Sequence, residues 1–148
     1  MILYLDSSAI LKRYVQEKGT EKVREVYFEA LNGEKTLSLS VWNIGEVLEA
    51  LDKYLKRGWL GAEEHGVARG SFIDEMTRLV RLGVVKLVPV KASILASSWG
   101  MIEGYGVYQA DAVQVMSAKS VQADQLLTGD RRLAEVSELE GVGALFVG

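Results

Sequence analysis

The sequence predicts an α/β fold: a single-domain three-layer sandwich with a five-stranded parallel sheet between helices on both faces. Short apolar runs alternate with longer segments of helical spacing along the chain, which is the pattern of βαβ units. No linker, repeat or low-complexity stretch divides the 148 residues, a length typical of one domain. Hydrophobic residues make up 49% of the chain and charged residues 25%, as in ordinary folded proteins. We therefore expect one domain spanning residues 1–148.

Five short segments have the apolar runs or the alternation that predict strands. The first, Ile2–Leu5, is an apolar run that stops at Asp6. The second, Thr36–Ser40, alternates apolar and polar residues. The other predicted strands are Val84–Val88, Gln125–Thr128 and Ala144–Val147.

Seven segments between these strands have helical spacing. The clearest runs from Asn43 to Gly58, where apolar residues recur at intervals of three and four. Val107–Val121 is apolar on nearly every side, so this helix should be buried. Ala62–Leu82 contains two glycines, which weaken a helix. The other predicted helices are Ala9–Val15, Thr20–Leu31, Lys91–Glu103 and Arg131–Leu139.

Four acidic residues lie where predicted strands end or where the neighbouring helices begin. Asp6 directly follows the first strand, and Asp130 follows the fourth strand after one glycine. Glu46 and Asp111 each fall in the first turn of a predicted helix. Open α/β sheets bind ligands beyond the carboxyl ends of their strands. We therefore expect the four carboxylates to meet at one rim and form one site.

Each of these acids also has a structural explanation. Asp is a preferred N-cap residue, which suits Asp6 and Asp130. Glu46 could form a capping box with Asn43 or lie in solvent. Asp111 is harder to explain in this way because it interrupts an apolar helix, and a buried Asp is rare unless it is paired or binds a metal. The gathering of all four acids at one rim favours a functional site.

The chemistry of four carboxylates points to a divalent cation. Mg²⁺ prefers carboxylate and water oxygens, and such ions can activate water and stabilise the charge that develops during phosphate ester hydrolysis. Without a cation the four charges would repel one another, which is a cost in stability that suggests a function.

Composition excludes several other kinds of chemistry. The chain has no cysteine, so disulfides, thiolate zinc sites and a cysteine nucleophile are excluded. His65 is the single histidine, so RNA cleavage by a histidine pair is excluded as well. The glycine motifs of nucleotide-binding sites are also missing. A net charge of −3 argues against broad, tight binding of nucleic acids.

The segments LDSSAIL, NIGEVLEAL, QADAVQV and LLTGD resemble the four acidic motifs of the PIN-domain ribonucleases. Within that family, the toxins of VapBC-type toxin–antitoxin pairs look most similar. The resemblance implies a parallel five-stranded sheet and hydrolysis of RNA phosphodiesters with bound Mg²⁺ or Mn²⁺. It assigns both catalysis and metal binding to Asp6, Glu46, Asp111 and Asp130.

The same resemblance implies supporting roles for two hydroxyl residues. Ser7 stands beside the first acid, and Thr128 stands two residues before the fourth. Gln114 occupies a position, three residues after the third acid, where many relatives carry a histidine. We interpret that difference as neutral because the position is not a catalytic acid.

We therefore expect a metal-dependent endoribonuclease, with RNA as substrate and with a cognate antitoxin protein and a second copy of the chain as partners. The alternative is an inactive module of the same fold that binds RNA or protein. A third hypothesis is a small-molecule phosphatase. No apolar stretch reaches the roughly 18 residues of a membrane span, and no signal peptide is evident, so we expect a cytoplasmic protein without membrane contact.

Basic and aromatic residues complete the predicted surface. Lys12, Arg13, Arg131 and Arg132 are candidates for contacts with RNA phosphates. Arg131 and Arg132 are favoured because they directly follow Asp130. The three tryptophans, at positions 42, 59 and 99, are interpreted as core or interface residues.

Overall fold

Five strands and seven helices alternate along the chain in the computed structural model, which describes residues 1–148. The strands are β1 (Ile2–Leu5), β2 (Thr36–Ser40), β3 (Val85–Val88), β4 (Gln125–Thr128) and β5 (Gly143–Phe146). The helices are α1 (Ser7–Tyr14), α2 (Thr20–Leu31), α3 (Val41–Lys56), α4 (Ala62–Arg81), α5 (Ala92–Tyr105), α6 (Gln109–Ser120) and α7 (Arg131–Leu139).

The strands form one sheet in the order β3-β2-β1-β4-β5, and every neighbouring pair is parallel. The chain builds β2 and β3 on one side of β1 and then returns to place β4 and β5 on the other. The strand order therefore reverses between β1 and β4, and open parallel sheets bind their ligands at such a switch point. Asp6 follows β1 and Asp130 follows β4, so these two acids flank it.

Helices cover both faces of the sheet. Neighbouring residues of a strand project to opposite sides, so each strand contributes to the core on both faces. In β1, Leu3 and Leu5 belong to a core cluster that also contains buried residues of α1 to α4, whereas Tyr4 belongs to a second cluster built with α5, α6 and α7. The predicted three-layer α/β sandwich with a five-stranded parallel sheet is confirmed.

The ends of some elements differ from the sequence prediction. Helix α3 begins at Val41, two residues before the predicted start, because Ser40 caps it: the Ser40 hydroxyl accepts a hydrogen bond from the backbone N–H of Trp42. Glu46 therefore lies in the second turn of α3, not in the first. Helix α4 is continuous through its glycines, since its buried residues Ala68 and Phe72 pack into the core and offset their cost.

Two further observations concern surfaces. The tryptophans are not core residues, since Trp42, Trp59 and Trp99 are 43%, 62% and 58% exposed. None of the helices combines the length and the apolar character that are needed to cross a membrane.

Candidate active site

The first and fourth acids each cap the helix that follows them. Asp6 is the N-cap of α1, and its Oδ1 accepts a hydrogen bond from the backbone N–H of Ala9 at 2.9 Å. Asp130 is the N-cap of α7, and its Oδ1 accepts one from the backbone N–H of Leu133 at 3.2 Å. The capping explanation is correct for both. Because β1 and β4 are neighbours, capping also places both carboxylates at the same rim of the sheet.

Asp6 is almost completely buried, with 4% of its surface exposed. Its Oδ2 accepts a hydrogen bond from the hydroxyl of Thr128, and its Oδ1 accepts a second one from Ser8 Oγ at 2.7 Å. Burial raises the pKa of Asp6 to about 6, and the charge of Glu46 adds to the rise, while the hydrogen bonds from Thr128, Ser8 and Ala9 oppose it. Near neutral pH this side chain therefore carries a charge that its surroundings disfavour.

The turn between Thr128 and Asp130 packs tightly against α1. The backbone N–H of Gly129 donates to Ser8 Oγ at 2.8 Å, and the backbone N–H of Asp130 donates to Thr128 Oγ1 at 3.0 Å. A Cβ atom on Gly129 would lie 2.9 Å from Lys12 Cε and 3.3 Å from Ser8 Oγ. The glycine therefore allows a close approach that fixes the fourth acid relative to the first.

Glu46 is half-buried and does not cap its helix. Its Oε1 accepts hydrogen bonds from Ser7 Oγ at 3.2 Å, Asn43 Nδ2 at 3.3 Å and Gln114 Nε2 at 3.4 Å. The capping box of α3 is formed instead by Ser40 and Asn43, since the backbone N–H of Ser40 donates to Asn43 Oδ1 at 2.8 Å. The capping box predicted between Asn43 and Glu46 is therefore wrong, and the Glu46 side chain is only partly exposed to solvent.

Asp111 lies in the first turn of α6 and is half-buried. Its carboxylate takes part in none of the side-chain hydrogen bonds or ion pairs of the structure. Burial raises its pKa, and the charge of Asp130 raises it further. The neighbouring residues Ala112 and Val113 are buried, so α6 is a core helix that brings an unpartnered acid to the rim.

The charges of the four acids influence one another in series. Burial raises the pKa of Glu46, and the charge of Asp111 adds to the rise. In the same way, the charge of Glu46 raises the pKa of Asp6, and the charge of Asp130 raises the pKa of Asp111. No lysine, arginine or histidine pairs with any of these carboxylates. The rim is therefore a region of negative charge without a protein cation to neutralise it.

A divalent cation fits this set of donors in kind and in charge. Oxygen ligands and excess negative charge are what Mg²⁺ and Mn²⁺ favour, and the pKa of three of the four carboxylates is raised in the absence of a cation. In their present positions, however, no three Asp, Glu or His side chains are close enough together to form a complete metal site. The predicted ligands share the rim but do not converge on one point.

Two of the predicted phosphate contacts are occupied inside the protein. Lys12 is buried, and its ammonium group donates to the carbonyl oxygen of Lys18 at 2.8 Å and pairs with Glu17 at 3.3 Å. The guanidinium of Arg13 donates to both carboxylate oxygens of Glu75, at 3.0 and 3.1 Å. Both cations therefore have partners within the protein, where the sequence predicts contacts with RNA phosphates.

Arg131 and Arg132 are exposed beside the fourth acid. The guanidinium of Arg131 lies over the ring of Phe146, 4.3 Å from its centre. Arg132 donates to the carbonyl oxygen of Tyr105 at 3.1 Å, which ties α7 to the end of α5. Both side chains therefore stand at the rim with part of their charge open to solvent.

Sequence reasoning missed three buried polar residues beside Glu46. Tyr4, Asn43 and Gln114 are 0%, 0% and 3% exposed and are joined by hydrogen bonds. Gln114 interrupts an apolar stretch of α6 just as Asp111 does, so the same reasoning applied to it would have singled it out. Gln114 contacts Glu46, one of the predicted catalytic acids.

Comparison with known proteins gives one family. A family model described as the PIN domain matches residues 3–139, which covers the four acids and most of the chain. Among curated proteins, none matches.

Several solved structures share the fold. The protein PAE2754 from Pyrobaculum aerophilum is 19% identical, with 99% of this chain and 90% of that chain covered and a TM-score of 0.68. FitAcB from Neisseria gonorrhoeae is 17% identical, with 98% and 96% covered and a TM-score of 0.67. VapC20 from Mycobacterium tuberculosis, described as a toxin that cleaves the sarcin–ricin loop, is 13% identical, with 90% and 93% covered and a TM-score of 0.65.

Proposed function

Because the chain belongs to the PIN domain family, we propose that it is a metal-dependent endoribonuclease and the toxin of a VapBC-type toxin–antitoxin pair. The observation that carries the proposal is the line of four acids at the switch point of the sheet, where three carboxylates have a raised pKa and none has a cationic partner. An inactive binding module would have no need to keep this unneutralised charge.

In this proposal Asp6, Glu46, Asp111 and Asp130 hold Mg²⁺ or Mn²⁺. The chemistry that such an ion supplies when bound is activation of water and stabilisation of charge on the phosphoryl oxygens. The protein's own task is to orient the carboxylates: Ser8 and Thr128 hold Asp6, and Ser7 holds one oxygen of Glu46. Asp111, which has no hydrogen-bond partner, is the acid freest to turn toward a ligand.

The substrate proposed for this site is RNA. Arg131 and Arg132 are the basic side chains that stand beside the fourth acid, and we propose that they contact substrate phosphates. The net charge of −3 favours a few local phosphate contacts over a broad basic surface. Support for this class of substrate also comes from VapC20, whose description names the sarcin–ricin loop as its target.

The partners proposed for the chain are an antitoxin protein and a second copy of the chain. Support for an antitoxin comes from the similar structure of VapBC2 from Rickettsia felis, which is described as bound to a DNA fragment from its promoter. We also propose a cytoplasmic location, where the RNA substrate is found.

Cleavage of a radiolabelled RNA by the purified protein, with the product ends identified, tests this function. We expect activity in about 5 mM Mg²⁺ or Mn²⁺, complete loss in excess EDTA, and products with 5′-phosphate and 3′-hydroxyl ends, because water is the attacking group. Cleavage that continues in EDTA, or a 2′,3′-cyclic phosphate end, would show attack by the 2′-hydroxyl and overturn the proposal.

A further inference from the structure

Gln114 is held by hydrogen bonds at both ends of its side-chain amide. Its Oε1 accepts from Tyr4 Oη at 2.7 Å and from Asn43 Nδ2 at 2.7 Å, while its Nε2 donates to Glu46 Oε1 at 3.4 Å. These residues come from β1, α3 and α6, and Tyr4 and Gln114 are 110 positions apart in the chain. The amide therefore links one acid of the rim to three separate elements of the fold.

The direction of each hydrogen bond in this set follows from one backbone group. The N–H of Ser40 can only donate, so Asn43 must present its Oδ1 to it and its Nδ2 to the other side. Gln114 must then present its Oε1 to Asn43 and its Nε2 to Glu46. Turning either amide over would bring two donors or two acceptors together, which is costly in a buried site. The backbone N–H of Ser40, at the end of β2, thereby fixes an N–H donor toward the carboxylate.

Three donors reach the same oxygen of Glu46. Ser7, Asn43 and Gln114 each donate to Oε1, and Oε2 receives none of these three bonds. A carboxylate held by one oxygen has a fixed orientation and keeps the other oxygen for a different partner. Asn43 and Gln114 could satisfy their polar groups with each other and with other neighbours. Their hydrogen bonds to an acid of the rim are therefore not explained by burial alone.

We propose that Asn43 and Gln114, held in place by Tyr4 and by the backbone of Ser40, are positioning residues that orient Glu46 within the acidic site. The proposal rests on the function proposed above, because an oriented Glu46 matters only if the four acids serve a common ligand. Residues that orient metal ligands in this way commonly change metal affinity about 10- to 100-fold when they are replaced.

Replacing Gln114 by an apolar residue of similar length tests the proposal. Gln114→Met keeps the volume but removes the donor to Glu46. We expect its apparent Mn²⁺ affinity, measured from the rise in melting temperature during a Mn²⁺ titration, to fall at least tenfold. Gln109→Met is the matched control, since Gln109 lies on the same helix and donates to Ser98 rather than to an acid of the rim. We expect the control to keep the wild-type affinity.

A double substitution shows whether the effect passes through Glu46. In the Glu46→Gln background, Gln114→Met should cause little further loss of Mn²⁺ affinity, because the residue that it positions has already been altered. An equally large additional loss would mean that Gln114 acts on the site as a whole. That result, or wild-type affinity in the folded Gln114→Met protein, would overturn the positioning role.

A milder variant keeps the test decisive if Gln114→Met does not fold. Tyr4→Phe removes only the hydroxyl that holds Gln114, and we expect a loss of a few-fold in Mn²⁺ affinity. Tyr27→Phe, which removes a buried hydroxyl in the other core cluster, should have no effect, and equal affinities in the two variants would contradict the proposal. If the wild type itself shows no Mn²⁺-dependent rise, the proposed metal-dependent function fails and this role fails with it.

Discussion

The hydroxyl of Thr128 donates a hydrogen bond to the buried carboxylate of Asp6, although the two residues are 122 positions apart in the chain. The same hydroxyl accepts a hydrogen bond from the backbone N–H of Asp130 at 3.0 Å. One small side chain at the end of β4 thus ties together the first and fourth acids of the rim. This relationship depends on β1 and β4 being neighbours in the sheet.

Thr128→Val should therefore be costly although it conserves the shape of the side chain. It leaves the N–H of Asp130 and one oxygen of Asp6 without their partner, which should lower the free energy of unfolding by about 1–3 kcal/mol. Urea unfolding measures this loss. Thr77→Val is a suitable control, because the Thr77 hydroxyl donates only to a backbone carbonyl of its own helix, and Thr128→Ser should recover most of the stability. A loss no greater in Thr128→Val than in Thr77→Val would contradict the linking role.

The raised pKa of Asp6 predicts a dependence of stability on pH in the absence of metal. The folded protein binds the proton of Asp6 more tightly than the unfolded chain, since the pKa rises from 3.8 to about 6. The stabilising contribution of protonated Asp6 is therefore complete below pH 3.8 and is lost as the pH rises through 6. Between pH 5 and pH 7.5 the loss amounts to roughly 1.4 kcal/mol.

Comparison with Asp6→Asn isolates this contribution, because the other groups titrate in both proteins. Asn caps a helix about as well as Asp, so the variant should fold. In EDTA the wild type should lose stability relative to Asp6→Asn between pH 5 and pH 7.5, as measured by urea unfolding at each pH. A difference in stability that stays constant over this range would show that the pKa of Asp6 is not raised in the folded protein.

Arg131 and Arg13 should have different roles, although the sequence predicts a phosphate contact for both. Arg131→Ala should weaken binding of RNA and reduce by about one the slope of log affinity against log salt, as expected for one lost phosphate contact. Arg13→Ala should leave that slope unchanged and lower the free energy of unfolding by about 1–3 kcal/mol, because it breaks a bidentate bond to Glu75. Salt titrations of RNA binding and urea unfolding distinguish the two. An unchanged slope in Arg131→Ala would remove it from the RNA-binding surface.

The sequence predicted the elements of this fold well, because hydrophobic periodicity is a local property. All five strands and seven helices lie close to their predicted positions, and Thr20–Leu31 and Arg131–Leu139 match at both ends. The start of α3 was misplaced because Ser40 both ends β2 and caps the helix. The order of the strands was not predicted, because the pairing of β4 with β1 joins distant parts of the chain and leaves no mark on the local pattern.

The residues around the four acids were harder to predict. The acids themselves stand at strand ends and helix starts, which are positions that can be identified from sequence. Asn43 and Gln114, however, are 71 positions apart, and their contact depends on how α3 and α6 pack across the sheet. Burial of Lys12 and the pairing of Arg13 with Glu75 also depend on tertiary packing. A local sequence pattern does not show such packing, so the sequence predicts phosphate contacts for both residues.

The most direct test of the central claim, that the four acids form one metal-dependent catalytic site, is the rate of RNA cleavage by Asp111→Asn in saturating Mn²⁺. Asp111 neither caps a helix nor accepts a side-chain hydrogen bond, so the substitution should leave the fold intact and remove only its role at the rim. We expect the rate to fall at least roughly a hundredfold, while Asp74→Asn, at an exposed acid of α4, keeps the wild-type rate. Cleavage by folded Asp111→Asn at the rate of Asp74→Asn would contradict the claim.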